Sequence, residues 1–158
     1  MYNIFMSIHN ILRWLVVFAA VLALARMFVG WLGRKDWSKR DDMLSGIFTG
    51  LLDLQLLVGL VIYFLVSPIT QAALVNFSAS LNASDGRFFI LDHPIMMLVG
   101  VVLAHVGRAL SRKATGLGKF RQAAIWFSLA VLVILVSVPW PFSIISRPWL
   151  RLGPFLLN

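Results

Sequence analysis

The chain has no cysteine and no glutamate among its 158 residues. Without cysteine it forms no disulfide, holds no thiolate-bound metal and has no cysteine nucleophile. The sequence also lacks an HExxH motif and a glycine-rich phosphate loop, so nothing in it favours a hydrolase or a transferase. The sequence therefore offers no motif of a stand-alone catalyst.

Charge is also scarce, because only 13% of the residues are charged and 60% are hydrophobic. A soluble domain is about a quarter charged, so this chain has too little polar surface for a compact particle in water. A helix needs roughly 20 apolar residues to cross about 30 Å of hydrocarbon, and the chain has four such runs. The sequence predicts a single-domain, all-α, integral membrane protein, a four-helix up-down bundle. The predicted spans cover residues 4–33, 43–66, 88–110 and 122–138.

Two segments lie outside the predicted spans. Residues 67–86 carry apolar side chains at roughly helical spacing, which predicts an amphipathic helix along the membrane surface. Residues 139–158 follow the last span, which Pro139 ends, since proline cannot continue a helix. Their tryptophan and phenylalanine side chains predict an interfacial aromatic tail.

The chain has a net charge of +8, and most of its basic residues lie in two connections, residues 34–40 and 112–121. Basic loops of membrane proteins stay on the cytoplasmic side. The sequence thus predicts a multi-pass membrane protein with both termini on the outer side. Nucleic acid is not an expected partner, because no basic face of a soluble module is present.

His9 and His93 are the most informative polar residues. Each lies about five residues into a predicted span, roughly 7–8 Å below the outer boundary. Spans one and three are diagonal neighbours in an up-down bundle, so the two imidazoles can bind a haem iron from opposite faces. The alternative is that each histidine is interfacial and hydrogen-bonded to water or headgroups.

Other residues near this level extend the haem hypothesis. Arg13 and Arg87 are predicted partners of the haem propionates, although Arg13 can instead reach the headgroups. Met97 is a possible alternative ligand or a core residue. Gly100 belongs to a stripe of small residues that leaves room either for a flat macrocycle or for a neighbouring helix.

Asp53, His105 and Arg108 form a second predicted group, at similar depth in spans two and three. A buried Asp–His or Asp–Arg pair offsets the cost of each charge in lipid. The group is either a polar lock between helices or a proton relay with a possible quinone contact.

A direct metal site is a further hypothesis. His9, His93 and Asp92 offer three nitrogen and oxygen ligands near the outer mouth, a set suited to copper or zinc. Asp92 and His93 are consecutive helical residues, so their side chains point about 100° apart, which weakens this hypothesis.

The chain resembles small bacterial four-helix membrane proteins described as cytochrome-b-like. The resemblance rests on HNILRW at 9–14, LLVG at 56–59, HPIMM at 93–97, GR at 107–108 and WPF at 140–142. It implies one haem b with His9 and His93 as axial ligands, and electron transfer within the membrane.

The resemblance also implies a quinone or a redox protein as partner, within a complex or a homo-oligomer. A cofactor-free accessory or assembly subunit of a respiratory or photosynthetic complex is the alternative function. Larger cytochromes b hold two haems on four histidines, whereas this chain has three histidines.

Overall fold

The computed structural model describes residues 1–150, and in that range it contains helices and no strand. Two of the helices include a π-helical turn, one at residues 62–66 and one at residues 88–92. The predicted tail beyond residue 150 lies outside the described residues. The helices are α1 Tyr2–Leu32, α2 Lys39–Val61 with the π turn Ile62–Val66, α3 Pro68–Val75, α4 Phe77–Asn82, α5 Ser84–Arg87 followed by the π turn Phe88–Asp92, α6 His93–Lys113, and α7 Gly118–Ser137.

Within the described residues, four continuous helices are long and apolar enough to cross a membrane: Tyr2–Leu32, Lys39–Val66, Ser84–Lys113 and Gly118–Ser137. This confirms the prediction of an all-α fold with four long apolar helices. Each helix matches one predicted span, with small differences at the ends. Membrane insertion and the side on which the termini lie stay predictions.

The long helices pack in a ring. α1 contacts α2 and α7, and α6 contacts the same two helices, so α1 and α6 face each other along a diagonal. We call one end of the bundle the basic end; it holds the connections 33–38 and 114–117. We call the other the cavity end; it holds the N-terminus, α3–α5 and residues 138–150.

The core of the basic half is closely packed around aromatic rings. Phe48, Phe120 and Phe127 are fully buried. Phe48 of α2 meets Phe127 of α7 edge-on, with ring centroids 5.1 Å apart. Gly30 of α1 lies directly under Phe120, since a Cβ built on Gly30 would be 2.2 Å from that ring. Ring-on-glycine contacts therefore hold the helices together in this half.

Two ion pairs also join helices at the basic end. Arg26 of α1 donates from Nε and Nη2 to the buried Asp41 at the start of α2. Asp41 also closes a capping box with Ser38, which fixes the first turn of α2. Arg112 of α6 donates to both oxygens of Asp42, at 3.0 Å each.

The connection 67–87 is a series of three short helices, where the sequence predicts one surface helix. Ser67 caps α3, because its hydroxyl accepts from the backbone N–H of Thr70 at 3.2 Å. The Thr70 hydroxyl donates to the Tyr63 carbonyl at 2.8 Å, and Ala73 is buried. The connection thus folds back onto the end of α2 as a cap.

We expect Gly30→Ala to destabilise the protein by about 1–3 kcal/mol, because the added methyl overlaps a fully buried phenyl ring that has no room to move. Ala25→Leu, on the exposed face of the same helix, is the control and should change stability little despite its larger volume. Thermal unfolding in detergent, followed by circular dichroism, measures both. Equal midpoints for the two variants would contradict the packing described here.

Candidate functional site

A cavity of about 450 Å³ occupies the cavity half of the bundle. Ligand sites in proteins commonly have volumes of about 300–1,000 Å³ and mainly apolar walls. Side chains from α1, α2 and α6 form most of this wall, and most of them are aliphatic or aromatic. Among the few polar groups on the wall are both histidines predicted as ligands, His9 and His93. The structure therefore brings this predicted pair together.

The two imidazoles lie close to each other across the diagonal. The ring centroids of His9 and His93 are 6.4 Å apart, with an angle of 69° between the planes. The ring of His9 lies against Gly59 of α2, where a built Cβ would be 3.4 Å from the His9 Cε1 atom. This is ordinary van der Waals contact, so the imidazole of His9 packs directly against α2 at Gly59.

Hydrogen bonding differs between the rings. The Nδ1 atom of His93 lies 2.9 Å from the Ser137 carbonyl oxygen. A carbonyl only accepts, so Nδ1 carries the hydrogen and Nε2 keeps its lone pair, the arrangement typical of a metal-binding histidine. The Nδ1 atom of His9 is buried and has no hydrogen-bond partner. An unpaired buried polar atom costs about 1–3 kcal/mol, so the Nδ1 atom of His9 destabilises the folded state unless it gains a partner.

A π-helical turn directly precedes His93 and sets the direction of its side chain. The turn forms because Pro94 follows the histidine. In an α-helix the Ile90 carbonyl would accept from the N–H of residue 94, which proline lacks. The Tyr63 hydroxyl donates to that carbonyl instead, at 3.0 Å. Tyr63 lies in the π turn of α2, so the two irregular turns support each other beside the histidines. Such turns frequently mark functional sites.

Two arginines lie at the mouth of the cavity, Arg13 and Arg147. Arg13 is nearly buried between the rings of Trp14 and Trp140, 5.4 and 5.7 Å from their centroids. Its Nη2 donates to the Trp149 carbonyl, while its Nε atom is buried without a partner. Residues 139–150 thus fold over the mouth, held by a cation between aromatic rings.

The remaining residues predicted around a cofactor lie in different places. Met97 lines the cavity. Gly100 does not, because it faces α7, where a built Cβ would be 2.7 Å from Ile134 Cγ1. Arg87 is absent from the lining and lies 3.4 Å from Asp92 in an exposed ion pair. Arg147 takes the position at the mouth expected for Arg87; nothing in the sequence distinguishes it from other tail residues.

The second predicted group is partly assembled. Asp53 Oδ1 and His105 Nε2 lie 2.7 Å apart, joining α2 to α6. The pair is not buried, because the side chains are 51% and 47% exposed. Arg108 lies beside Gly46 and donates to the Thr49 hydroxyl at 3.3 Å instead of contacting Asp53. The prediction of a buried pair was wrong: both side chains lie on the outside of the bundle, where about half of each is exposed.

The hypothesis of a three-ligand copper or zinc site is not supported. Within residues 1–150 no group of three or more histidine, cysteine, aspartate or glutamate side chains comes together. Asp92 is engaged with Arg87.

Comparison with protein-family models, curated proteins and solved structures finds no match to this chain. The resemblance to cytochrome-b-like proteins accordingly stays a prediction from the sequence motifs.

We expect Arg13→Met to loosen residues 139–150, because it removes both the hydrogen bond to Trp149 and the cation between the tryptophans. Amide hydrogen exchange of residues 140–150 should accelerate at least tenfold, as measured by mass spectrometry. Arg26→Met, which breaks an ion pair at the basic end, should leave exchange in the tail unchanged. Equal protection of the tail in all three proteins would contradict its attachment through Arg13.

Proposed function

We propose that this chain is a membrane-embedded electron carrier that binds one haem b between α1 and α6. The observation that carries the proposal is the His9–His93 pair, on diagonal helices and facing a mainly apolar cavity. The same proposal places the protein in the bacterial inner membrane, with four spans and with the cavity end on the outer side.

The surface of the bundle supports membrane placement. Exposed side chains on α1 between residues 4 and 32, and on α7 between residues 122 and 137, are all apolar. Basic side chains gather at one end of the bundle, as the positive-inside rule requires of the cytoplasmic side. They are Arg34, Lys35, Lys39, Arg40, Arg112, Lys113, Lys119 and Arg121.

The distance between the imidazoles fits a shared iron. An imidazole–metal bond is about 2.0–2.1 Å long, so rings that bind one ion from opposite sides have centroids roughly 6–7 Å apart. The observed separation is 6.4 Å. His93 has its Nδ1 hydrogen fixed by the Ser137 carbonyl, so its Nε2 would be the atom that holds the iron.

The other residues of the site would hold and shield the cofactor. Haem supplies one-electron exchange at its iron when bound. The aliphatic walls would exclude water from that centre, and the contact with Gly59 would hold the His9 ring against α2. Arg13 and Arg147 lie where they would neutralise the propionates, because carboxylates pair well with guanidinium groups.

One chain would hold a single haem. The chain has three histidines, and the third, His105, is paired with Asp53 on the outside of the bundle. Phenylalanine rings fill the basic half. Electrons would therefore enter and leave near the cavity end, and a quinone or a redox protein is the proposed exchange partner.

Purified protein should show a b-type α-band near about 560 nm, a property of the haem, in a reduced-minus-oxidised spectrum. His9→Ala and His93→Ala should each abolish the band, because each removes one axial ligand. His105→Ala is the matched control and should retain it. A wild-type protein without the band, after expression with added haem precursor, would rule the haem out. The alternative of a cofactor-free accessory subunit would then be the better proposal.

The orientation has its own test, for which the cysteine-free chain is suited. We expect Ser78→Cys, in the connection at the cavity end, to react with a membrane-impermeant maleimide in intact spheroplasts. Lys35→Cys, at the basic end, should react only after the membrane is disrupted. The reverse labelling pattern would show that the cavity end faces the cytoplasm.

A further inference from the structure

The face formed by α2 and α6 differs from the rest of the bundle surface. On α1 and α7 the exposed side chains between the helix ends are apolar. On α2 and α6 the exposed residues include Asp53 and His105, each about half exposed. We call this surface the α2/α6 face. It consists of Gly50, Asp53 and Leu57 on α2, and Val102, His105 and Ala109 on α6.

The position of the pair makes its exposure costly in a membrane. Asp53 lies near the middle of the continuous helix Lys39–Val66, about 16 Å from Asp42 at the basic end by helical rise. This depth falls inside a hydrocarbon core about 30 Å thick. Ionisable side chains at such depth face a protein interior or a water-filled space, since lipid does not solvate them. A protein surface is therefore expected to cover the pair.

The pair is complementary to a second copy of itself. His105 Nε2 meets Oδ1 of Asp53, which leaves Oδ2 of the carboxylate and Nδ1 of the ring directed away from this contact. A carboxylate accepts through both oxygens, and both ring nitrogens of an imidazole take part in hydrogen bonds. Two copies related by a two-fold axis parallel to the helices would place Asp53 of each against His105 of the other. In the resulting ring of two aspartates and two histidines, each side chain would contact one partner in its own bundle and one in the second copy.

Gly50 provides room for this approach. A Cβ built on Gly50 meets nothing within 4 Å, so the residue makes no close contact within its own bundle. Glycines that face outward in apolar helices allow the backbones of two helices to come close. Val102 and Ala109 are exposed on either side of His105 and would surround the polar ring with apolar contacts.

We propose that the chain forms a symmetric homodimer through the α2/α6 face, held at mid-depth by reciprocal Asp53–His105 contacts. The dimer rests on the membrane placement proposed above but does not depend on the haem. The proposed interface does not include residues 139–150. The occupant of this face is a second copy of the chain, in the same orientation.

Cysteine cross-linking tests the dimer directly, since the natural chain contributes no thiol. Gly50→Cys places a sulfur on the α2/α6 face in open space. Phe18→Cys is the matched control: it lies near the middle of α1 and is 65% exposed on a different face. In the dimer Gly50 of one copy faces α6 of the other, so the two sulfurs are about one helix diameter apart, about 10 Å, which is too far for a direct disulfide. After treatment of native membranes with a flexible bis-maleimide that spans this distance, we expect at least tenfold more covalent dimer from Gly50→Cys than from Phe18→Cys.

A second comparison tests the role of the polar pair. Replacing Asp53 and His105 by leucine within Gly50→Cys should lower cross-linking to the level of Phe18→Cys. Cross-linking that survives this change, or is equal for the two single-cysteine variants, would overturn the proposal. A cross-linked product whose mass is not twice that of the chain would identify a different protein as the occupant. If alkaline carbonate extracts the wild type, the proposed membrane placement is wrong as well as the dimer. If the protein stays in the membrane but does not cross-link, only the dimer is wrong.

Discussion

Packing of aromatic rings against small residues in the basic half is the interaction on which the rest of the structure depends. Phe120 lies over Gly30, and Phe127 meets Phe48 across the bundle. These contacts join α7 to α1 and to α2 over two successive helical turns. Because the basic half is closed in this way, the helices stay in register while the other half remains open. That other half contains the cavity of about 450 Å³, whose walls are mainly apolar.

One missing backbone hydrogen-bond donor determines how His93 reaches the cavity. Pro94 leaves the Ile90 carbonyl without its helical donor, and the Tyr63 hydroxyl takes that role. The π turn that results lies immediately before His93. An extra residue in a helix rotates everything after it by about 100°, so the turn determines which face of α6 carries the imidazole. A proline one residue after the histidine thus orients a side chain as well as starting a regular helix.

Features of the sequence that repeat over many residues predicted the structure well. Long apolar runs gave four helices, and the up-down order gave the diagonal relation of His9 and His93. Depth counted along each helix brought these histidines to one level, because helical rise is constant. The pairing of Asp53 with His105 followed from the same count.

Features that depend on rotation about the helix axis, or on an irregular segment, could not be predicted in this way. Gly100 faces α7 rather than the cavity, and Asp53 faces outward. The direction of each side chain depends on how far its helix is rotated about its own axis, which is set by packing against neighbouring helices. The three short helices of residues 67–87 depend on single hydrogen bonds at Ser67 and Thr70. Arg147 reaches the cavity through an irregular tail with no periodicity to read. The nearest available signal for the π turn was Pro94, whose missing donor identifies one carbonyl that needs another partner.

The attachment of residues 139–150 over the cavity mouth has a consequence for how the protein matures. These residues are synthesised after all four long helices, so the bundle can assemble while its mouth is still open. Docking of Trp149 on Arg13 would then come last. Under the proposal of a bound haem, the cofactor would leave only as fast as the tryptophan cluster opens, so its residence time would be set by a conformational step as well as by its affinity.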